Sequence, residues 1–264
     1  MKIATFNTWK NDGNYPERLK SMAALLKQGD YDVVLLQEVL GADEIDIHTG
    51  KYLAKECGFQ ILEAPSRRKE RLVGDHRIIC NAGLTTLTKL KPGNMIIHEL
   101  PSSPTGGERI VQFANLDFEG TSFVIGNIHL SHVRFESEIK KQQWQEAVTK
   151  SFEQWPNLPL LIGGDMNTDL DAEDQIKLFE VEGLQIIDTF KAATDSGWRS
   201  THPVPDRSDR PGRRIDTIFS VTKNDQKQSF KFLKSQILGK EIPPNCNAYP
   251  SDHALVEIQL QLDS

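Results

Sequence analysis

Asp165 and Asn167 stand one residue apart in LLIGGDMNTDL (160–170), just after an apolar run that breaks on two glycines. A carboxylate and an amide there are ordinary turn residues on one reading, because Gly, Asp and Asn all favour chain reversal. On another reading they are presented at the rim of a sheet to do chemistry. Five more segments repeat the pattern. Asn7 closes IATFN, Glu38 closes DVVLLQE, and His129 lies near the end of SFVIGNIHL, on one face with Asn127 if side chains alternate. Asp216 lies within RIDTIF, and Ser251-Asp252-His253 leads into ALVEIQLQL. Taken singly, each is a strand-end cap or turn residue. Six such segments need a shared cause, and an active site along one sheet rim supplies it.

The residue types narrow the chemistry. Asn7, Glu38, Asp165, Asn167 and Asp252 offer oxygen ligands with no converging cysteines, which suits hard Mg²⁺, with Mn²⁺ as the substitute, rather than zinc. Imidazoles can hydrogen-bond phosphate oxygens as charge moves, and a carboxylate can take a proton from water. Phosphoryl transfer rests mainly on such positioning and electrostatics.

Strand patterns must place these groups. Besides the segments above, GFQILEA (58–64), NAGLTTLTKL (81–90) and RIVQFANLDF (109–118) read as strands. The solidly apolar VVLL and LPLLI suggest strands covered on both faces. Helices are expected over YPERLKSMAALLKQG, with Pro16 near its start and Gly29 at its end, over about 135–155, and briefly after Asp171. Asp169 and Asp171 read as charges at that last helix's N-terminus. The pattern fits a layered α/β protein with one large mixed sheet or two packed sheets.

Composition bounds the rest. With 38% hydrophobic and 26% charged residues, the chain has ordinary globular content, and its length allows one large domain or two small ones. A net charge of −6 argues against gripping nucleic acid by overall field, though not against a local basic groove. Cys57, Cys80 and Cys246 form no CxxC pair and read as small buried side chains. No run approaches the about 20 apolar residues of a membrane span, and MKIATFNTWK lacks a signal-peptide core. A cytoplasmic protein without membrane insertion is the expectation. A chain relieved of a leader would read the same, which leaves secretion open.

In order along the chain, FNTW, LLQEV, NAGLTTLTK, GNIHLSH, IGGDMN, RIDTIF and SDHALV resemble the motifs of the endonuclease/exonuclease/phosphatase superfamily of metal-dependent phosphoesterases. The resemblance implies a single domain over 1–264, folded as a four-layer α/β/β/α sandwich of two packed mixed sheets. It implies Glu38 as principal metal ligand, Asn7 supporting the metal or its water, and Asp165 orienting or deprotonating the attacking water. Asn167 would hold Asp165 and the phosphate in register. His253 would contact the scissile phosphate with Asp216 on its far nitrogen, and His129 would be a second contact. Asp252 is either a metal ligand or structural. Arg109 is either a phosphate contact or a solvated strand end.

Other motifs fall away. TGKY (49–52) lacks a Walker glycine and its Ser/Thr, and there is no Gly-x-Ser-x-Gly elbow. Trp9, Trp144 and Trp155 read as packing residues, and Trp198 as a packing residue or a substrate platform. SRRKER (66–71) and DRSDRPGRRID (206–216) are basic loops, commonly solvated. The second adjoins Asp216, so its arginines, Arg213 among them, are candidates to hold a phosphorylated substrate. The leading expectation is a Mg²⁺-dependent phosphodiesterase acting on a nucleic acid, nucleotide or lipid headgroup. FNTW, LLQEV and NYPERLKSM faintly resemble the branch that removes protein adducts from DNA ends. A DNA or RNA endonuclease or DNA-end-processing phosphodiesterase is the alternative, and a non-catalytic binding protein on the same scaffold stands behind both.

Overall fold

Residues 1–193, 199–205 and 211–262 are described by a computed structural model. The chain begins in β1 (Lys2–Asn7), crosses through α1 (Tyr15–Gly29) and returns parallel as β2 (Val33–Ala42). A proline in its first turn starts α1, and Asp30 in the left-handed conformation, one residue beyond the expected Gly29, stops it. Gly29 is needed for another reason: a Cβ there would strike the Tyr31 ring, 2.0 Å away. After β3 (Ile47–His48) come α2 (Thr49–Cys57), β4 (Gln60–Ala64), and a hairpin of β5 (Lys69–Val73) and β6 (His76–Thr88).

The next stretch builds a second sheet. It contains β7 (Lys91–Leu100), β8 (Arg109–Phe118) and β9 (Thr121–His129), then, past α3 (Ser137–Gln154), β10 (Leu160–Asp165). Short α4 (Glu173–Ile176) precedes β11 (Leu184–Asp188), and α5 (Thr189–Ala193) precedes β12 (Asp216–Lys223). The chain then returns to the first sheet as β13 (Phe230–Leu238) and β14 (Leu255–Leu262). Strand order is β13-β14-β1-β2-β6-β4 in the first sheet, with β3 beside β2 and β5 beside β6, and β11-β12-β10-β9-β8-β7 in the second. Both are mixed, with β1–β2 and β9–β10 the parallel pairs.

Alternation assigns the faces. Ile3, Val33, Leu35, Ile125, Leu161, Ile218 and Ile258 meet between the sheets. Ala4, Phe6, Val34 and Leu36 turn outward against Met22, Leu26 and Leu53 of α1 and α2. Val124, Ile162 and Phe219 turn the other way, against Trp144, Ala147 and Val148 of α3. The result is the expected four-layer α/β/β/α sandwich. Gly163 lets the sheets approach: a Cβ there would lie 2.8 Å from both Leu35 and Ile218.

Several elements differ from the sequence reading. SRRKER (66–71) runs into β5 from Lys69 instead of remaining a loop, and α2, β7, β11 and β13 were not anticipated. KPGNMIIHEL has Pro as its second residue and Gly as its third, and FKFLKSQIL carries exposed lysines, as edge strands do. Glu38 does not close β2, which runs on to Ala42. The register against β6 shifts between Leu36 and Val39, and Glu38 sits in this irregularity with φ 52°.

Candidate active site

Towards one end of the sandwich the space between the sheets turns from apolar to polar. Thr5 follows Ile3 on the inward face of β1, and Gln37 follows Leu35 on β2. Gln37 donates Nε2–H to Thr5 Oγ1 (3.0 Å) and to Asn127 Oδ1 of the opposite sheet (2.9 Å). Asn127 donates in turn to the Leu36 and Thr85 carbonyls at 3.1 and 3.2 Å. Buried amides need such partners, and these lock the two sheets together just below the rim.

Asp165 ends β10 at that rim, with His129 of β9 and Asp216 of β12 beside it in register. Asn7 reaches across from the first sheet and donates Nδ2–H to Asp165 Oδ2 at 3.0 Å. The backbone N–H of Asn167, whose φ is 49°, donates to Asp165 Oδ1 at 2.8 Å. Its side-chain amide goes elsewhere, to the Leu130 carbonyl, and Lys140 of α3 pins the Asn167 carbonyl at 2.7 Å. Asn167 thus supports Asp165 through the main chain.

His253 completes the row. Its Nδ1 lies 3.0 Å from Asp216 Oδ2, and its Nε2 3.8 Å from Asp165 Oδ2. Ser251 Oγ accepts the His253 N–H and donates to the Asn7 carbonyl, joining the C-terminal turn to β1. Burial, then the neighbouring Asp216, pushes the Asp165 carboxyl pKa up, against the pull of His253, Asn167 and Asn7. Burial opposes a charged His253, but Asp216 and Asp165 outweigh it and raise its pKa. His129 is the opposite case. Burial first, and the Arg109 cation second, hold it well below its ordinary value, so it is a neutral imidazole 3.5 Å from Asp165 Oδ2.

Glu38 faces the same rim, where Lys10 Nζ lies 2.7 Å from its Oε2. Lys10 belongs to a loop wrapped on the buried Arg18 of α1, which donates to the Thr8, Trp9 and Asp12 carbonyls. Trp9 packs, as expected, with its ring 4.6 Å from the Arg18 guanidinium. These positions bear on a hard cation. Among the described residues Asn7 Oδ1 accepts from the Trp9 N–H alone, which leaves it a lone pair, and Glu38 sits where positive charge is already held. Carboxylate and amide oxygens are the donors Mg²⁺ and Mn²⁺ favour, so the residues fit such an ion. Among the described residues, the tight groups of ligand atoms are Asp165–Asp216–His253 and His202–Asp252–His253, and Glu38 stands outside both.

Arg109 is buried, not a solvated strand end. Its Nη2 lies 2.9 Å from His132 Nδ1, and burial followed by the Arg67 cation lowers its pKa to about 10. Asp252 lies beside His202, at 3.6 Å, and 4.0 Å from His253. Burial would raise its carboxyl pKa, but His202, His253 and Arg18 bring it down. Arg213 is half-buried and pairs through its backbone with His202. Arg214 turns inward instead, to Asp188 (2.6 Å) and Asp171 (3.0 Å), under the Phe190 ring. Asp171 is therefore an arginine counter-ion and not a helix-end charge, since α4 starts only at Glu173. Arg207, Arg210 and Trp198 lie outside the described residues.

Sequence reasoning missed Lys10, Arg18, Lys140 and His202. His202 stacks on His253 with ring centroids 4.5 Å apart. Its segment is brought there by backbone bonds from Ala254 to Thr201 and from Val204 to Asp252. No strand pattern signals such a placement. For Lys10 the available signal was its place three residues beyond Asn7.

A search of curated proteins finds no match. Solved structures do match in fold. An endonuclease/exonuclease/phosphatase family protein from Leptotrichia buccalis shows 18% identity and a TM-score of 0.73, with 99% of this chain and 100% of that chain covered. The D. rerio TDP2 complexed with single strand DNA product shows 19% identity and a TM-score of 0.74, with 99% and 98% covered. A mannosyl-6-phosphatase from Bacteroides thetaiotaomicron shows 17% identity and a TM-score of 0.74, with 99% and 100% covered. Residues 4–253 match the profile of the Endonuclease/Exonuclease/phosphatase family, and the chain belongs to that family.

Proposed function

We propose that this site hydrolyses a phosphoric ester, a diester in preference, by in-line attack of water with Mg²⁺ or Mn²⁺ as cofactor. The observation that carries the reading is the row His129–Asp165–Asp216 with His253 across it, anchored to the first sheet through Asn7. Asp165 takes the proton of the attacking water: Asn7 and the Asn167 N–H fix its two oxygens, and its raised pKa makes it a competent base. His253, held protonated by Asp216, donates Nε2–H to a non-bridging phosphate oxygen. Neutral His129 offers a second donor, and Arg109 adds fixed positive charge behind it. Glu38 and Asn7 would hold the divalent ion, with Asp252 as a further oxygen nearby. Such an ion would polarise the phosphoryl group and stabilise the departing oxygen.

The test is hydrolysis of bis(p-nitrophenyl) phosphate against p-nitrophenyl phosphate, with Mg²⁺, with Mn²⁺ and with EDTA, alongside His253→Ala. Metal-dependent cleavage of the diester, lost in the variant, is the expected outcome. Monoester preference would move the substrate to a small phosphorylated metabolite, and metal-independent turnover would sink the scheme. A DNA-end or RNA phosphodiester is the second reading, favoured by the basic side chains that flank Arg109.

A further inference from the structure

A basic surface adjoins the site and has no part in the scheme above. Lys69 and Arg71 lie two residues apart on β5 and project to one face, above Ile78 and Cys80, with which they pair across the hairpin. Glu70 points the other way and pairs with Arg77 at 3.5 Å. Arg67 precedes the strand in a left-handed conformation, its N–H bonded to Glu108 Oε2 at 2.9 Å and its guanidinium packed against Gly107. Asn11 donates to the Leu72 carbonyl at 2.7 Å and ties the hairpin to the loop that carries Lys10.

Among the described residues, Arg67, Lys69 and Arg71 form no ion pair with any carboxylate, although surface cations commonly find one. Arg71 Nε is buried without a hydrogen-bond partner, and so is Arg109 Nε. The cations act on one another. Arg71, then burial and Arg67, lowers the Lys69 pKa; burial and then Arg67 lowers that of Arg71. Arg67 lines one small cleft with Arg109 and His129, with Glu108 at its side, and so brings the hairpin's cations beside the catalytic row. Crowded like charges with unused donors cost free energy until an anion joins them.

We propose that Arg67, Lys69 and Arg71 form a second anion subsite, which takes a phosphate of the substrate other than the one being cleaved. The enzyme then prefers molecules carrying two or more phosphates. This rests on the reaction proposed above and names its substrate class. Guanidinium pairs suit such a group because they bind phosphate oxygens in a planar, two-pronged fashion.

The test uses two esters with the same scissile bond and leaving group: thymidine 5′-(p-nitrophenyl phosphate) and the same compound bearing a 3′-phosphate. The expected result is a KM about tenfold lower for the second, a ratio that shrinks as salt is raised. In Lys69→Gln/Arg71→Gln the ratio falls to about one, and in Arg71→Lys part of it returns, while melting temperatures stay level. A second arm is independent of turnover. Calorimetry on Asp165→Asn compares adenosine 3′,5′-bisphosphate with adenosine 5′-monophosphate, with and without the hairpin substitutions. If neither ester is cleaved, the proposed reaction has failed, and the binding arm still decides the subsite. Equal KM values and equal affinities in the native hairpin, or a preference that survives the double substitution, would overturn it.

Discussion

Asp165 is held from both sheets and from its own turn, so its substitution separates chemistry from folding. Asp165→Asn keeps an oxygen for the Asn167 N–H and removes the base; kcat is expected to fall by about 10²–10⁴-fold with the melting temperature nearly unchanged. Retained turnover in that variant would remove Asp165 from its assigned role. Titration gives a second expectation. Asp165 is raised to about 6 and His253 to about 10, so the rate should climb as Asp165 loses its proton and decline as His253 loses its own. Stability follows the same groups with one sign. Each has a folded pKa above its unfolded value, so each contributes stability at low pH that disappears as pH rises through the folded value. Melting temperatures read across that range should drop near both values, and His253→Gln should flatten the alkaline drop. Asp165, Asp216, His253 and Asn7 were legible because each borders an apolar run whose end must lie at a rim. Lys10 and His202 were not, because loops folded onto Arg18 and Arg213 deliver them, and loop paths leave no periodic trace.

At the level of elements, the inward alternation of β1, β2, β9, β10 and β12 delivers the site. The same repeat that buries Ile3, Leu35 and Leu161 continues to Asn7, Gln37 and Asp165. Gly163→Val would push β10 off the first sheet and is expected to cost about 1–3 kcal/mol by overpacking, measured by urea unfolding. Gln37→Leu would strand Asn127 Oδ1 and should cost about 1–3 kcal/mol, with a loss of activity as the rim loosens. An unchanged unfolding midpoint in either variant would contradict the packing described. Central strands were readable because both faces are apolar. The edge strands β7 and β13 bury too little for a hydrophobic run, and their charges resemble those of loops. The Glu38 irregularity was invisible for a different reason: a bulge depends on the partner's register, and one strand's pattern does not contain it.

Across the whole molecule, a divalent cation that binds only the assembled rim must stabilise it. At a hundredfold excess over its dissociation constant, Mn²⁺ or Mg²⁺ should add about 2.7 kcal/mol, seen as a raised melting temperature that EDTA reverses. Glu38→Gln should abolish the rise, and Lys10→Ala, which frees the Glu38 carboxylate, should leave it intact or enlarge it. A shift that persists in Glu38→Gln would place the ion elsewhere. The pairing of β1 with β14 reaches further than packing. Along the chain Asn7 comes before Asp165, and His253 comes last, just before the strand that closes beside β1. Without β14 one flank of β1 would be unpaired, and without the turn before it Asp165 would lose the His253 imidazole 3.8 Å from its Oδ2. The rim is therefore complete only once β1 has paired with a strand made long after it, so the site carries a check on whether distant parts of the chain have come together.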